Sequence, residues 1–223
     1  MEAPGAVRPG PLQACARQPI IALPSPAPER AALRASVNSL PPRPDTAPPT
    51  AFSSREFRSA LGMFATGVTI VTARGVGGEL VGMTANSFNS VSLDPPLVLW
   101  SLAHKASSLQ AFATATHYAI NVLTVEQRAL AERFATRGID RWAGVAHRAG
   151  LHGAPVLEGA AAVFECANRS QYVEGDHTIF VGLVERCAHL GGAAPLLYHG
   201  GMFYTEHPLG TLSDTAVPDM PAS

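Results

Sequence analysis

The alternation of apolar and polar positions along the chain predicts a mainly β domain with a few short helices. Phe57, Ala60, Leu61 and Phe64 recur at helical spacing behind Ser53 or Ser54, either of which can accept bonds from the first free amides. Residues 67–73 are β-branched and alternate, which reads as a strand. The glycine-rich residues 74–79 read as a hairpin turn into a second strand at 80–83. Asp94-Pro95-Pro96 sets φ and removes amide donors just ahead of a third strand at 97–102. Ser107 or Ser108 can cap a short helix through Phe112, and 118–123 reads as a fourth strand. Thr124 with Gln127 has capping-box spacing for the clearest helix, 125–136. A glycine-rich, Trp-containing loop is expected to about Glu158, then two long strands at 161–172 and 177–190 joined by Glu174-Gly175-Asp176. A last strand is expected at 198–204. Six or seven antiparallel strands with two or three helices make a barrel with helical cover.

Composition sets the limits of that domain. Of 223 residues, 47% are hydrophobic and 15% charged, enough for one domain with a real core plus an excess. The excess lies at the start: residues 1–50 hold twelve of the nineteen prolines and no aromatic residue. Such a segment cannot bury enough apolar surface to offset its ordering entropy, so 1–50 reads as a disordered Pro/Ala-rich extension. Its five arginines against three acids fit a transit peptide, although the prolines argue against an amphipathic helix. The folded domain is expected over 51–210, with a flexible tail at 211–223.

A net charge of -1 leaves no electrostatic footprint for nucleic acid. No apolar run approaches the roughly 18 residues of a membrane span, so no membrane contact is expected. Cys15, Cys166 and Cys187 lack paired spacing, which speaks against a disulfide framework and for reduced cysteines in a cytoplasmic protein. His104, His117, His147, His152, His189 and His207 show no ligand spacing, so no metal is expected. Fifteen of the sixteen basic residues are arginine, which singles out Lys105, the only lysine.

Four segments carry candidate chemistry. Between two apolar strands lies a run of small hydroxyl and amide side chains: Thr84, Asn86, Ser87, Ser90 and Ser92. It is either a polar loop on a barrel rim or the wall of a site whose ligand offers many hydrogen-bonding atoms, as a flavin does. Lys105, two residues before Ser107 at a helix start, can neutralise a phosphate or simply be solvated. His177 begins an alternating strand after a tight turn, which puts an imidazole at one end of the barrel. Asp176 either orients that imidazole or only makes the turn, and the turn is the simpler reading. Leu130, Ala131 and Phe134 form a packing face. Gly75-Val76-Gly77-Gly78 has the wrong spacing for a dinucleotide fingerprint, so a nicotinamide cofactor would not be held by a Rossmann unit.

Residues 81–100, Val-Gly-Met-Thr-Ala-Asn-Ser-Phe-Asn-Ser-Val-Ser-Leu-Asp-Pro-Pro-Leu-Val-Leu-Trp, resemble without a gap the flavin-contacting segment of the flavin reductase-like, FMN-binding split-barrel family. Ser101-Leu-Ala-His-Lys-Ala-Ser-Ser108, Gly175-Asp-His177, Arg133-Phe-Ala135 and His199-Gly-Gly-Met-Phe-Tyr204 are similar to further family segments. The resemblance covers roughly residues 52–207. It implies an FMN-binding split β-barrel, Greek-key-like, with Thr84, Ala85, Asn86, Ser87, Ser90, Lys105 and Ser107 on the flavin. It further implies His177, Gly201 and Tyr204 on the nicotinamide, and Arg133-Phe134-Ala135 near the flavin of a partner subunit. The implied protein is a homodimer with its flavin site at the interface. It would transfer hydride from NADH or NADPH to FMN or FAD with no catalytic side chain, and supply reduced flavin to a separate monooxygenase. Two other classes remain open: a carrier that keeps its flavin and meets a protein redox partner, and a haem- or pyridoxal-phosphate-binding relative of the barrel.

Overall fold

The computed structural model describes residues 51–206 together with a two-residue strand, Gln13–Ala14 (β1). The expectations for the rest of 1–50 and for 211–223 lie outside the described residues. The chain divides into two units, Ala16–Leu61 and the remainder. In the first, the described part is most of helix α1 (Ser54–Gly62). Its cap is Ser53, whose Oγ accepts from the Glu56 amide (3.2 Å) while Glu56 Oε2 accepts from the Ser53 amide (2.7 Å). This is a reciprocal capping box, and the helix stops before Phe64.

The second unit is built on one antiparallel sheet. It comprises β3 (Thr69–Arg74), β4 (Leu80–Ala85), β5 (Asn89–Leu93), β6 (Pro96–Ala103), β7 (His117–Val122), β10 (Ala162–Glu174) and β11 (His177–His189). Their order is β4-β3-β7-β10-β11-β6-β5, with β1 paired to β11. The two edges of this path, β4 and β5, are consecutive in the chain and joined only by residues 86–88. A link that short spans about 14 Å at most, so the sheet must curl until its edges nearly meet. The result is a barrel with one seam that is not closed by backbone bonds. Just ahead of β5, Ser87 extends the pairing with β6: its Oγ accepts from the Ser101 amide (3.0 Å) and donates to the Ser101 carbonyl (3.2 Å). Beyond the start of β5, one side chain thus does the work of a strand.

The barrel core is aromatic. Trp100 stacks on Phe180 (4.6 Å between centroids) and meets Phe112 and Tyr118 edge-on. All four side chains are fully buried. Around the barrel lie α2 (Leu109–Thr114) and α3 (Arg128–Ala135), the latter preceded by a 3-10 turn, Val125–Gln127. The expected Thr124–Gln127 capping box is present, but the expected single helix over 125–136 starts as that tighter turn. Ala131 and Phe134 of α3 pack on Ile70, Leu123 and Leu157, the face anticipated from their spacing.

Three further expectations are corrected. Residues 89–93 form strand β5 rather than a loop, because they find the backbone of β6 as partner. The long Trp-containing loop holds a hairpin, β8 (His147–Ala149) with β9 (Pro155–Leu157). Buried Asn121 secures it by accepting from the Leu157 amide (2.9 Å) and donating to the Ile70 carbonyl (3.0 Å). Buried Glu165 secures its other end through Arg148 (3.1 Å), Arg186 (3.4 Å) and the Leu151 amide (2.7 Å). Residues 198–204 are two strands, β12 (Leu197–His199) and β13 (Met202–Tyr204), turned at Gly200-Gly201, where φ is +57° and +86°. They form a small separate sheet with β2 (Thr66–Gly67).

Candidate functional site

At the seam the structure opens a cavity of about 300 Å³. The end of β4 and the link after it supply Met83 to Ser87, the end of β6 supplies Ser101 to Ala103, and the following turn supplies Lys105 and Ala106. Arg137, from the loop after α3, and His177, the first residue of β11, complete the wall. The sheet path explains this gathering. β6 pairs with β11 so that His177 lies opposite Ala103, while the 86–88 link carries β4 across the seam to the same end of the barrel.

Thr84, Ala85, Asn86, Ser87, Lys105 and His177 therefore share one cavity, although 93 residues separate the first from the last. Ser107 faces an adjoining cavity of about 340 Å³ with Ser108, Gly82 and Trp142. Ser90 lies on β5 and is exposed, outside both cavities. Gly201 and Tyr204 sit on the small β12–β13 sheet and do not line the cavity of their own chain.

The hydroxyls of the polar run are largely used by the fold. Thr84 Oγ1 donates to the Ala131 carbonyl (2.6 Å), which ties β4 to α3, and Ser87 holds the 86–88 link to β6. What they leave facing the cavity is their backbone and the exposed Asn86 amide. Arg133-Phe134-Ala135 is taken up in the same way, with Phe134 buried and Arg133 Nη1 donating to the Ala143 carbonyl (2.8 Å).

The His177 turn is tight: Gly175 has φ +58° at the first turn position, as a two-residue hairpin of type II′ requires. Asp176 both makes this turn and orients the ring, because its Oδ1 lies 2.6 Å from His177 Nδ1. A carboxylate only accepts, so the proton between them sits on Nδ1 and Nε2 is left to the solvent side. The hydrogen bond from His177, aided by the Lys105 ammonium, holds the Asp176 carboxyl below the usual carboxylate range. That orientation is present above the ordinary carboxylate pKa and is lost only as pH falls through the lowered one.

The chemistry of the lining is one-sided. Its charged or titratable groups are Lys105, Arg137 and His177, with no carboxylate or thiol. Met83, Leu102, Ala103 and Ala106 add an apolar wall. Such a set suits a planar heteroaromatic ligand that carries a phosphate, and FMN fits it in both parts. Sequence reasoning missed Arg137, because the loop around it carries no motif. Among the described residues no three His, Cys, Asp or Glu side chains cluster as metal ligands, and no helix is long and apolar enough to cross a membrane.

The profile of the flavin reductase like domain matches residues 61–207. The chain belongs to the flavin reductase-like family. It is 50% identical over 151 residues to an FMN reductase (NADH), SmoA, of Agrobacterium fabrum, a match taking in 68% of this chain and 85% of that one. It is 42% identical over 151 residues to the reductase component of a flavin-dependent trigonelline monooxygenase of Acinetobacter baylyi, of which it spans 48%. Among solved structures, the NADH:FAD oxidoreductase SgcE6 of Streptomyces globisporus, in complex with NAD and FAD fragments, superposes with a TM-score of 0.68. That match covers 74% of this chain and all of the other at 38% identity. The family's split barrel is thus the fold described above, with its unclosed seam between β4 and β5.

Proposed function

We propose that this chain is a flavin reductase that oxidises NADH or NADPH and reduces FMN or FAD, supplying reduced flavin to a separate monooxygenase component. The observation that carries the reading is one cavity that joins the 84–87 segment, two cations and an oriented imidazole. Names of relatives as FMN reductase (NADH) and as a monooxygenase reductase component support the same assignment.

When bound, flavin accepts at N5 the hydride carried by C4 of the dihydronicotinamide. The chain's own contribution is to bind and orient. The backbone of residues 84–87 and the Asn86 amide offer donors and acceptors to the polar edge of the ring. The Lys105 ammonium meets the phosphate, with Ser107 on the adjoining wall. His177, held by Asp176, presents a flat ring at the cavity edge and positions the nicotinamide without transferring a proton. No acid or nucleophile is needed for hydride transfer, and no carboxylate or thiol lines the cavity.

The protein acts as a homodimer in this reading, with the partner subunit bringing Gly201 and Tyr204 to the nicotinamide side of the site. Exposed Val91 and Leu93 on the barrel's edge strand suit a covered surface. A cytoplasmic location belongs to the same reading, supported by the buried free thiol Cys166.

The test follows absorbance at 340 nm while purified protein is mixed with NADH or NADPH and FMN, FAD or riboflavin in turn. Oxidation that depends on added flavin is expected. Binding of flavin without turnover, and retention of that flavin through gel filtration, would instead identify a carrier.

A further inference from the structure

We infer that Arg137 is a second phosphate-binding cation of this cavity, preset on a clamped loop to hold an oxyanion with its guanidinium fork. The inference rests on the proposed reductase function and names a residue that no family motif marks.

Four arginines lie on α3 and the loop after it, and three are committed to the fold. Arg128 pairs with Glu132 (2.9 Å). Arg133 Nη1 donates to the Ala143 carbonyl (2.8 Å). Arg141 donates through Nε to the Thr136 carbonyl (2.8 Å) and through Nη1 to the Gly82 carbonyl on β4 (3.1 Å). Arg133 and Arg141 thus close the loop from both ends and fasten it to the barrel. Arg137 lies inside this clamp, lines the cavity and makes no hydrogen bond or ion pair with any described residue. With the backbone already anchored, binding an anion would cost the rotamer freedom of the exposed Arg137 side chain but not the ordering of the loop that carries it.

Charge balance points the same way. A phosphate monoester carries about −1.5 to −2 at neutral pH, so one ammonium leaves it under-neutralised. Lys105 supplies one positive charge and Arg137 the second, and no carboxylate lines the cavity to compete for either. The nearby acid, Asp176, is already engaged by His177. A planar guanidinium matches two phosphate oxygens at once, which an ammonium cannot. The phosphate is that of FMN or the pyrophosphate of the nicotinamide substrate. The chemistry is shared, and the experiment separates the sources.

Arg137→Gln and Arg137→Lys are compared with wild type by fluorescence titration with FMN and riboflavin. Steady-state kinetics are run with NADH and with N-benzyl-1,4-dihydronicotinamide, which lacks phosphates. In Arg137→Gln the dissociation constant for FMN is expected to rise about tenfold or more while that for riboflavin holds, as for loss of one charge-assisted bond. If the nicotinamide is the source, the KM for NADH rises by that factor with kcat retained, and the benzyl analogue is unaffected. Either result supports the inference, and Arg137→Lys should restore part of the loss. All four constants within about twofold of wild type would overturn it, since a lost charge-assisted bond exceeds that. So would equal weakening of FMN and riboflavin, which marks a merely structural role. Wild-type protein without flavin-dependent NADH oxidation would fail the reductase reading instead. An active wild type in which Lys105→Gln loses its preference for FMN over riboflavin, while Arg137→Gln keeps both that preference and the wild-type KM for NADH, sinks only the assignment of Arg137.

Discussion

Each side chain around the cavity is defined by what its polar atoms are already doing. Thr84 and Ser87 spend their hydroxyls on Ala131 and Ser101, so their value to a ligand lies in the backbone they hold still. Lys105 keeps its ammonium for the cavity. Lys105→Ala should therefore weaken FMN binding by about 1.5–3 kcal/mol, the cost of a charged hydrogen bond, and leave riboflavin binding unchanged; fluorescence titration reads both. His177→Ala should raise the KM for NADH while the flavin dissociation constant stays near wild type, and loss of flavin instead would move His177 into the flavin pocket. Asp176→Asn removes the carboxylate that orients the ring. Because that carboxyl is held below its ordinary range, the wild-type KM for NADH should stay flat as pH falls through the usual carboxylate range and rise only below it. The variant should show a raised KM across the whole profile.

Elements reach the cavity through contacts that close loops elsewhere. Helix α3 can lie on β4 because position 82 is glycine: a Cβ there would stand 2.5 Å from the Phe134 ring and 3.1 Å from Trp142. Gly82→Ala should cost about 1–3 kcal/mol of stability by overpacking. It should also weaken FMN binding, because the displaced loop is the one that carries Arg137. Glu165 offers a contrast. Its carboxylate gathers Arg148, Arg186 and the Leu151 amide at the β8–β9 hairpin, away from the cavity. Glu165→Ala should lower stability in urea unfolding by about 1.5–3 kcal/mol through lost charged bonds, with FMN affinity intact. These two variants separate damage to the scaffold from damage to the site.

At the scale of the whole molecule, the barrel interior is packed with fully buried side chains, and this has a chemical readout. Burial and the nearby carboxylates Glu185 and Glu165 push the Cys166 thiol up to about 12. It therefore carries almost no thiolate at neutral pH. In a variant with Cys15 and Cys187 replaced by serine, Cys166 should stay silent to a thiol reagent in the native protein and react after denaturation. Reaction at native conditions would mean the barrel opens far more readily than its packing implies.

Much of this organisation was readable in the sequence, and the reason is local. Strands at 69–74, 80–85, 117–122, 162–174 and 177–189 announce themselves by alternation and β-branching, since each side chain's face is set by the two-residue period of the strand itself. The Thr124–Gln127 cap and the Gly175-Asp176 turn depend on residues within four positions of one another. The polar run at 84–92 and the lone lysine pointed to a binding wall for the same reason. What sequence could not supply depends on partners far along the chain. Residues 89–93 are a strand because β6 offers its backbone, and 197–204 divide into two strands whose first pairs with distant β2. Arg137 differs from Arg133 and Arg141 only in that their carbonyl partners, Ala143, Thr136 and Gly82, are brought within reach when α3 docks on β4. The sequence by itself determined the fold class, the family and six of the twelve residues of the cavity wall, because those rest on local periodicity and motif. Only the tertiary structure decided which hydroxyls are consumed by the fold and which cation is left free, because hydrogen-bond partners are chosen by how elements pack on one another.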